Sequence, residues 1–329
     1  MNLKMSLMSP IAADVSPARS RSPAHGPTLG VLVLMLGLTA IAAAQPAGPR
    51  PTQVPPGTVL HRDLGYLSGG HQRQKLDLFL PANGTNLPLI VNIHGGAFRL
   101  GTKSDGVPLG YLARGYAVAS IGYRLSQHAL FPAQIADCKA AVRWLRANAA
   151  KYGLDPDRFA AWGSSAGGHL ATMLGTTGDV KEFEVGEHLG VSSRVQAVVD
   201  YFGPTDFLQM DAHRLPNGMV HDPADSPESQ LLGGAIQENK AKTARANPVT
   251  YVTKDDPPFL IVHGDADPLV PHHQSELLAS ALEKAGVPVM FYTVKGAGHG
   301  GFRDPKVAEL TADFLAKQLR PERPAPSIP

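Results

Sequence analysis

Three residues that lie far apart in the sequence have the types and surroundings that a serine nucleophile requires. Ser165 is the central residue of a Gly-Ser-Ser-Ala-Gly pattern at residues 163–167, between a strand-like run and a helix-compatible run. In such a pattern a tight turn lifts the serine hydroxyl above a sheet, and glycines stand at the outer positions because side chains there would clash. The turn also puts the serine at a helix N-terminus, where the helix dipole favours developing negative charge. We therefore predict that Ser165 is a nucleophile, with Ser164 as a small residue that the turn tolerates.

The pattern alone is weak, because five residues of this type occur by chance in a chain with 34 glycines. A glycine-rich turn without chemistry is the alternative. A serine hydroxyl also needs a histidine to take its proton and a carboxylate to orient that histidine. Of the 13 histidines, His299 alone combines a position downstream of Ser165, a loop after the final apolar run and neighbouring glycines. We predict that His299 is the base.

The acid has two candidates, Asp265 and Asp267, on a loop that follows the apolar run 259–262. Loops at the carboxyl ends of parallel strands are where such a sheet presents catalytic groups. Asp265 lies in a Gly-Asp-Ala string, where a turn-forming role for its side chain is the simpler explanation. This favours Asp267, although a preference based on the residues alone leaves Asp265 open.

Acyl transfer also requires hydrogen-bond donors for the developing oxyanion, each worth about 3 kcal/mol. Residues 94–98, His-Gly-Gly-Ala-Phe, directly follow the apolar run 89–93 and precede the serine, as the oxyanion loop of esterases does. The backbone N–H groups of Gly95, Gly96 and Ala97 are candidate donors, together with that of Ala166. We expect His94 to brace this loop through hydrogen bonds.

The elements that would position these residues alternate between strand and helix. Helical patterns begin after Pro132, at residues 272–285 and at residues 307–319. The alternation predicts an α/β fold with a mostly parallel sheet covered on both faces and an antiparallel start. Residues 206–254 are far longer than the usual connection of about 4 to 6 residues, and this length predicts an inserted lid or cap. The predicted strands are residues 76–80, 89–93, 117–121, 159–162, 195–199, 259–262 and 289–294.

The chain resembles the α/β-hydrolase superfamily of serine esterases, in the group of bacterial feruloyl esterase-like and hormone-sensitive-lipase-like enzymes. The resemblance rests on residues 94–98, 152–158 (Y-G-L-D-P-D-R), 162–170 (W-G-S-S-A-G-G-H-L) and 256–271, and it spans residues 59–319. It implies an α/β-hydrolase fold, a triad of Ser165, Asp267 and His299 without metal or organic cofactor, and carboxylic ester hydrolysis. The chain departs from lipase-type members in having Ala97 where a third glycine is common.

The ends of the 329-residue chain differ from its middle. Residues 1–44 contain a basic stretch and an apolar run ending in Ala-Ala-Ala, which predicts a signal peptide and export to the periplasm or beyond, with an uncleaved anchor as the alternative. Five prolines in residues 46–56 predict a linker at 45–57, and residues 321–329 form a Pro-rich tail. Residues 58–320 are then the catalytic domain. Without residues 1–44 the chain has 27 basic and 27 acidic residues, which disfavours a nucleic-acid partner.

Several alternatives remain beside a small or carbohydrate-linked acyl ester as substrate. One alternative is a peptidase of the same fold, but no additional substrate-selecting domain supports it. Another is a non-catalytic binding protein, which predicts loss of a triad residue, whereas all three are present.

Cys138 is expected in the core, since a single cysteine forms no internal disulfide. The sequence does not address the oligomeric state. A metal site is disfavoured because its candidate ligands have no recognised spacing: His213, His221, Asp222, His272 and His273. Four aromatic residues are candidates to line an acyl pocket or to be core: Phe98, Tyr123, Phe202 and Phe302.

Overall fold

The computed structural model describes residues 54–320, and within them one eight-stranded sheet organises the fold. The predicted signal peptide, most of the linker and the Pro-rich tail lie outside the described residues. The strands run in the order β1-β2-β4-β3-β5-β6-β7-β8. Their bounds are β1 Val59–Gly65, β2 Lys75–Leu80, β3 Leu87–Ile93, β4 Ala117–Ile121, β5 Leu154–Ser164, β6 Ala197–Tyr201, β7 Phe259–Gly264 and β8 Val289–Val294.

The sheet is antiparallel at its start and parallel elsewhere, as the spacing of helical patterns predicts. β2 pairs antiparallel with both β1 and β4, whereas all pairs from β4 to β8 are parallel. The carboxyl ends of the parallel strands therefore share one edge, and the loops after β3, β5, β7 and β8 meet there. These four connections carry the predicted triad residues and the predicted oxyanion donors.

Helices cover both faces of the sheet. The α-helices are α1 Ala133–Ala147, α2 Ala149–Tyr152, α3 Ala166–Thr176, α4 Met210–His213, α5 Pro227–Leu232, α6 Lys240–Ala246, α7 His273–Ala285 and α8 Pro305–Leu319. Side chains alternate along β3, so Val91 lies in the core cluster of Cys138 of α1 on one face, and Ile90 lies in the core cluster of Leu315 of α8 on the other. Burial on both faces explains why the parallel strands appear in the sequence as continuous apolar runs.

The first strand, β1, was absent from the sequence prediction. Its side chains alternate irregularly between half-buried and exposed, and its pairing with β2 shifts register between His61 and Leu64. A strand at the edge of a sheet has no need for a buried face, so it lacks the apolar period that identifies the other strands. β1 is held mainly by its backbone ladder to β2.

The charged side of helix α1 is largely buried. Asp137, Lys139 and Arg143 are each at most 1% exposed. Asp137 pairs with Arg124 at 2.7 Å, and Lys139 pairs with Glu184 at 2.8 Å, where Arg143 also binds. Loops fold over this side of the helix and supply the opposite charges, which removes the large desolvation cost that unpaired charges would carry. Charged residues on an amphipathic helix therefore did not mark the solvent side here.

Candidate active site

Ser165 lies on a sharp turn between β5 and α3. Its backbone has φ 56° and ψ −126°, a conformation that L-residues rarely adopt. A Cβ atom built on Gly163 would lie 2.0 Å from the carbonyl oxygen of Gly167, so a side chain at this position is excluded. The Ser165 amide donates to the Tyr201 carbonyl at 2.8 Å, which ties the turn to the end of β6. The turn thus has the geometry expected of a nucleophile elbow, with the serine preceding the N-terminus of α3.

Asp267 and His299 are hydrogen-bonded to each other although 32 positions separate them. Nδ1 of His299 lies 2.7 Å from Oδ2 of Asp267. The other carboxylate oxygen accepts from the amides of Leu269 at 2.7 Å and Val270 at 3.0 Å. Burial opposes ionisation of Asp267, yet hydrogen bonds from His263 and His299 hold the pKa of this carboxyl well below its usual range. Asp267 is therefore a buried, ionised acceptor for His299.

Asp265 has a different environment. Its Oδ1 accepts from the Gly296 amide at 2.6 Å, and its Oδ2 lies 3.1 Å from Nζ of Lys295. These contacts join the loop after β7 to the loop after β8. The side chain thus bridges two loops instead of forming the local turn contact that the sequence suggested for it, and it is Asp267 that meets His299.

The loop of His299 reaches the serine turn through Phe202. This residue follows Tyr201, whose carbonyl binds the Ser165 amide, and its ring centroid lies 4.6 Å from that of His299. A Cβ atom built on Gly300 would lie 2.9 Å from Cζ of Phe202, so the chain after His299 packs closely on this ring. The structure therefore brings the loops of all three predicted triad residues to one edge of the sheet.

His263, which the sequence analysis passed over, is a further contact of Asp267. Its Nε2 lies 3.1 Å from Oδ2 of Asp267 and 3.0 Å from the Val270 carbonyl oxygen. Both are acceptors, so Nε2 carries the proton and the Ser275 hydroxyl donates to Nδ1 at 2.7 Å. His263 is fully buried. Its only sequence signal was its position as the penultimate residue of β7, four residues before the predicted acid.

The loop after β3 is a strained segment packed against the serine turn. Gly96, Ala97 and Phe98 have φ of 112°, 54° and 59°, and two of these residues are not glycine. A Cβ atom built on Gly95 would lie 3.4 Å from Cβ of Ser165. Within residues 54–320, the amides of Gly95, Gly96 and Ala97 have no hydrogen-bond acceptor. Ala166 is the first residue of α3, where an amide has no intrahelical partner. Two of the predicted donors, Gly95 and Ala166, therefore lie next to Ser165, and none of the four N–H groups has an acceptor among the described residues.

His94 braces this loop. Its ring stacks on Tyr123 with centroids 4.3 Å apart, and its Nδ1 donates to the Gly95 carbonyl at 2.7 Å. Burial lowers the pKa of His94 to about 4, so the ring is neutral and its Nε2 is an acceptor for Arg73, 3.4 Å away. Arg73 also donates to the carbonyls of Gly101 at 2.5 Å and Tyr123 at 3.0 Å. Arg73 is a second residue that the sequence analysis missed, and it links the segment before β2 to His94 at the start of the loop and to Gly101 beyond its end.

The four aromatic candidates separate into two pairs. Phe98 and Tyr123 are at most 1% exposed and belong to the core. Phe202 and Phe302 line a cavity of about 340 Å³ beside the His299 loop. An apolar cavity of this size at the edge of the sheet is suited to part of a small ligand.

The histidines considered as metal ligands have other partners. The rings of His213 and His273 stack with centroids 3.4 Å apart, and His272 lies 3.2 Å from Glu276. His221 is buried between Glu228 and the Leu269 carbonyl oxygen, each 2.9 Å from a ring nitrogen. In the part of the chain that the structure describes, no three histidine, cysteine, aspartate or glutamate side chains are grouped to hold a metal ion.

Residues 206–254 form short helices and turns that attach to the acid loop. The Met219 amide donates to the Pro268 carbonyl at 2.7 Å, and His221 bonds to Leu269, two residues beyond Asp267. The segment thus contacts the loop that carries the acid, and its function as a lid stays a prediction. Among residues 54–320, no helix combines the length and apolarity that crossing a bilayer demands.

Known proteins resemble this chain in sequence. Esterase LipQ of Mycobacterium tuberculosis is 30% identical over 266 residues, which cover 77% of this chain and 61% of LipQ. Esterase LipC of the same organism is 29% identical over 286 residues, 81% of this chain and 69% of LipC. The chain therefore spans less than two thirds of the length of LipQ.

Solved structures resemble it in fold. A truncated form of carbohydrate esterase from gut microbiota matches with a TM-score of 0.73 and 36% identity, over 79% of this chain and 96% of that one. A Bacteroides eggerthii protein described as bifunctional GH43-CE matches with a TM-score of 0.72 and 38% identity, over 79% of this chain and 38% of its own. The family model described as BD-FAE matches residues 76–282. This model covers more than half of the chain, including Ser165 and Asp267, and the chain therefore belongs to the BD-FAE family and has the α/β-hydrolase fold.

Proposed function

We propose that the protein is a serine carboxylic ester hydrolase that works through an acyl-enzyme intermediate. Ser165 attacks the ester carbonyl while His299 takes its proton, and His299 then returns that proton to the leaving alcohol. The tetrahedral oxyanion is held by backbone N–H groups of Gly95, Gly96, Ala97 and Ala166. Water next attacks the acyl-enzyme with His299 again as the base, which releases the acid and restores Ser165.

The observation that carries the proposal is the hydrogen bond of 2.7 Å between Asp267 and His299 beside the Ser165 turn. A buried ionised carboxylate on Nδ1 holds the imidazole in the tautomer whose Nε2 is free to accept a proton. It also stabilises the imidazolium that forms when Ser165 reacts. A binding protein on the same scaffold would have no need for this arrangement or for amides without acceptors around Ser165.

The substrates proposed are small or carbohydrate-linked acyl esters, such as feruloyl or acetyl esters. Two proteins similar to this chain, an esterase and a carbohydrate esterase, support this class. No cofactor enters the proposed reaction, because the nucleophile, the base and the oxyanion donors all come from the chain. A peptidase reaction would proceed through the same acyl-enzyme, so the substrate panel must include an amide.

Two further proposals concern the parts of the chain around this site. Residues 1–44 support export through a signal peptide, with a periplasmic or secreted destination. Residues 206–254, which contact the acid loop through Met219 and His221, support a covering segment near the site.

The test is hydrolysis of p-nitrophenyl acetate, butyrate and laurate, with an anilide of the same acyl group for comparison. We expect ester turnover in the wild type, loss of it in Ser165→Ala, and labelling of Ser165 by a serine-directed phosphonate. The surface variant Ser192→Ala is the matched control and should retain full activity. Folded wild-type protein with neither turnover nor labelling would contradict the proposal, and turnover of the anilide alone would favour a peptidase.

A further inference from the structure

A cavity with aromatic walls begins beside the loop of His299. Its volume is about 340 Å³, and Tyr111, Trp162, Tyr201 and Phe302 are among its walls. Neighbouring rings contact each other, with centroids 5.3 Å apart for Tyr111 and Trp162, and 5.5 Å for Trp162 and Tyr201. Phe302 continues this surface, its centroid 6.2 Å from that of Tyr201. Because each of these four side chains is half-buried, their ring surfaces are partly available to a ligand.

The cavity is lined by residues that adjoin Ser165 and His299 in the chain. Ser164, which directly precedes the nucleophile, lines it, as do Gly300 and Gly301, which directly follow His299. Phe202 lines it as well and contacts the His299 ring at 4.6 Å. The loop of residues 94–98, which supplies the oxyanion donors, contributes nothing to its lining. The cavity therefore borders the residues that adjoin Ser165 and His299 in the chain, while Ser165, His299 and residues 94–98 are not themselves among its lining residues.

In the proposed reaction, different parts of the ester lie near the His299 loop and near the 94–98 loop. His299 returns its proton to the oxygen of the leaving alcohol, so the alcohol half of the ester must lie next to His299 when the C–O bond breaks. The carbonyl oxygen points instead towards the amides of the 94–98 loop. From this geometry we propose that the cavity is the subsite for the alcohol half of the ester, and that it accepts an alcohol bearing one six-membered ring. This inference rests on the proposed esterase function.

The size and chemistry of the walls support a single ring. A closed cavity of roughly 150 Å³ binds benzene, so about 340 Å³ accommodates one ring with its substituents. Aromatic walls offer flat surfaces for the face of an aryl or pyranose ring. The Ser164 hydroxyl and the Asp304 carboxylate also line the cavity and can bind ring hydroxyls. Asp304 is held in place because its oxygens accept from the Tyr292 hydroxyl at 2.6 Å and the Lys306 amide at 2.9 Å.

Ala308 allows the subsite to be blocked without disturbing the core. It lines the cavity from α8, where its side chain is exposed. The substitution Ala308→Phe should place a ring in the space that the alcohol would occupy. Ala316→Phe is the matched control, because Ala316 is an exposed residue of the same helix outside the cavity. A second variant, Phe302→Leu, should weaken the subsite by removing one aromatic wall.

The measurement compares ethyl acetate, benzyl acetate and 6-O-acetylglucose, which share one acyl group. In Ala308→Phe we expect kcat/KM for a ring-bearing ester to fall by about tenfold or more, and kcat/KM for ethyl acetate to change by less than about threefold. The deacylation rate constant of the acetyl-enzyme should stay unchanged, because the alcohol has already left. Ala316→Phe should behave as the wild type. Selective loss for benzyl acetate identifies an aryl ring as the occupant, and selective loss for 6-O-acetylglucose identifies a sugar.

Two results would overturn the inference. Equal losses for all three esters in Ala308→Phe, or a slower deacylation, would place the acyl group or no ligand in the cavity. Wild-type protein that turned over none of the esters and resisted phosphonate labelling would refute the proposed function itself, and the subsite with it. Normal turnover with no selectivity for the alcohol would refute the subsite alone.

Discussion

Nε2 of His263 lies 3.1 Å from Oδ2 of Asp267, the same oxygen that Nδ1 of His299 approaches at 2.7 Å. Asp267 thus accepts from two histidines on one oxygen and from two backbone amides on the other. A carboxylate with this many donors is fixed in orientation and stays ionised, as the lowered pKa of Asp267 reflects. His263 is a positioning residue, since it acts on His299 through Asp267.

We predict that His263→Leu lowers kcat and shifts the pH profile. The lost hydrogen bond to a charged group corresponds to about 1.5–3 kcal/mol, or roughly 10- to 100-fold if it is fully expressed in the rate. Without this donor the pKa of Asp267 rises, and the carboxylate attracts the imidazolium form of His299 more strongly. The acid limb of kcat/KM against pH should therefore move to higher pH.

His263→Gln provides the control for this prediction, because its amide can donate to Asp267. It should recover part of the rate and return the acid limb towards the wild-type position. A variant that loses stability and rate with an unchanged pH profile would mean that His263 only fills the core. Thermal unfolding of both variants separates loss of fold from loss of rate.

We predict that Asp267→Asn lowers kcat by about four orders of magnitude, because the amide favours the wrong tautomer of the catalytic histidine. Asp265→Asn is the matched variant two residues away. It removes the ion pair with Lys295 and leaves an oxygen that can still accept from the Gly296 amide, so kcat should remain within about threefold of the wild type. Steady-state kinetics on one ester measures both, and the reverse ranking would identify Asp265 as the acid.

We predict that Arg73→Met lowers kcat more than it raises KM. Arg73 holds His94 and the Gly101 carbonyl, and thereby the amides around Ser165. Loss of one oxyanion donor costs about 100- to 1,000-fold, and a displaced loop should cost a part of this, about tenfold. Arg62→Ala, which removes an exposed arginine 4.0 Å from Asp77, serves as the control. An increase in KM alone would indicate ground-state binding instead of oxyanion stabilisation.

We predict that His221 stabilises the acid loop in a pH-dependent way. Both ring nitrogens face acceptors, the Glu228 carboxylate and the Leu269 carbonyl, so both bonds require the imidazolium form. Burial lowers the pKa of His221, but the hydrogen bond and charge of Glu228 outweigh it and raise the pKa above its usual value of about 6.5. Asp211, whose carboxylate accepts from the His221 amide, acts in the same direction.

The sign of the effect follows from the raised pKa. The stabilisation is fully present below pH of about 6.5 and is lost as pH rises through the higher folded pKa. We expect His221→Gln to reduce the free energy of unfolding by about 3–5 kcal/mol at pH 6 and by less at pH 9. Urea unfolding of both proteins at the two pH values measures this difference. A difference that grew with pH would refute the charged pair.

Local sequence was sufficient for the elements that chain neighbours specify. The Ser165 turn could be predicted because glycine at position 163 is required by a backbone contact within the turn itself, whereas Gly167 is required by the backbone of Ile93 and His94 at the end of β3. Strand β4 was predicted with its observed bounds because burial on both faces leaves a continuous apolar run. Strand β8 was also predicted with its observed bounds, since it keeps an apolar run although it is a partly buried edge strand. Edge strand β1 has no such run, and it was missed for that reason.

The sequence by itself determined the fold class, the serine, the histidine and the order in which the acid falls between them, since each is written in short patterns of glycines and apolar runs. Tertiary structure alone decided that Asp267 meets His299, that His263 and Arg73 support the site, and that the charged side of α1 is buried. These contacts join residues from separate loops and strands. Their geometry depends on how the sheet brings those elements together, so it cannot be predicted from the spacing of residues along the chain.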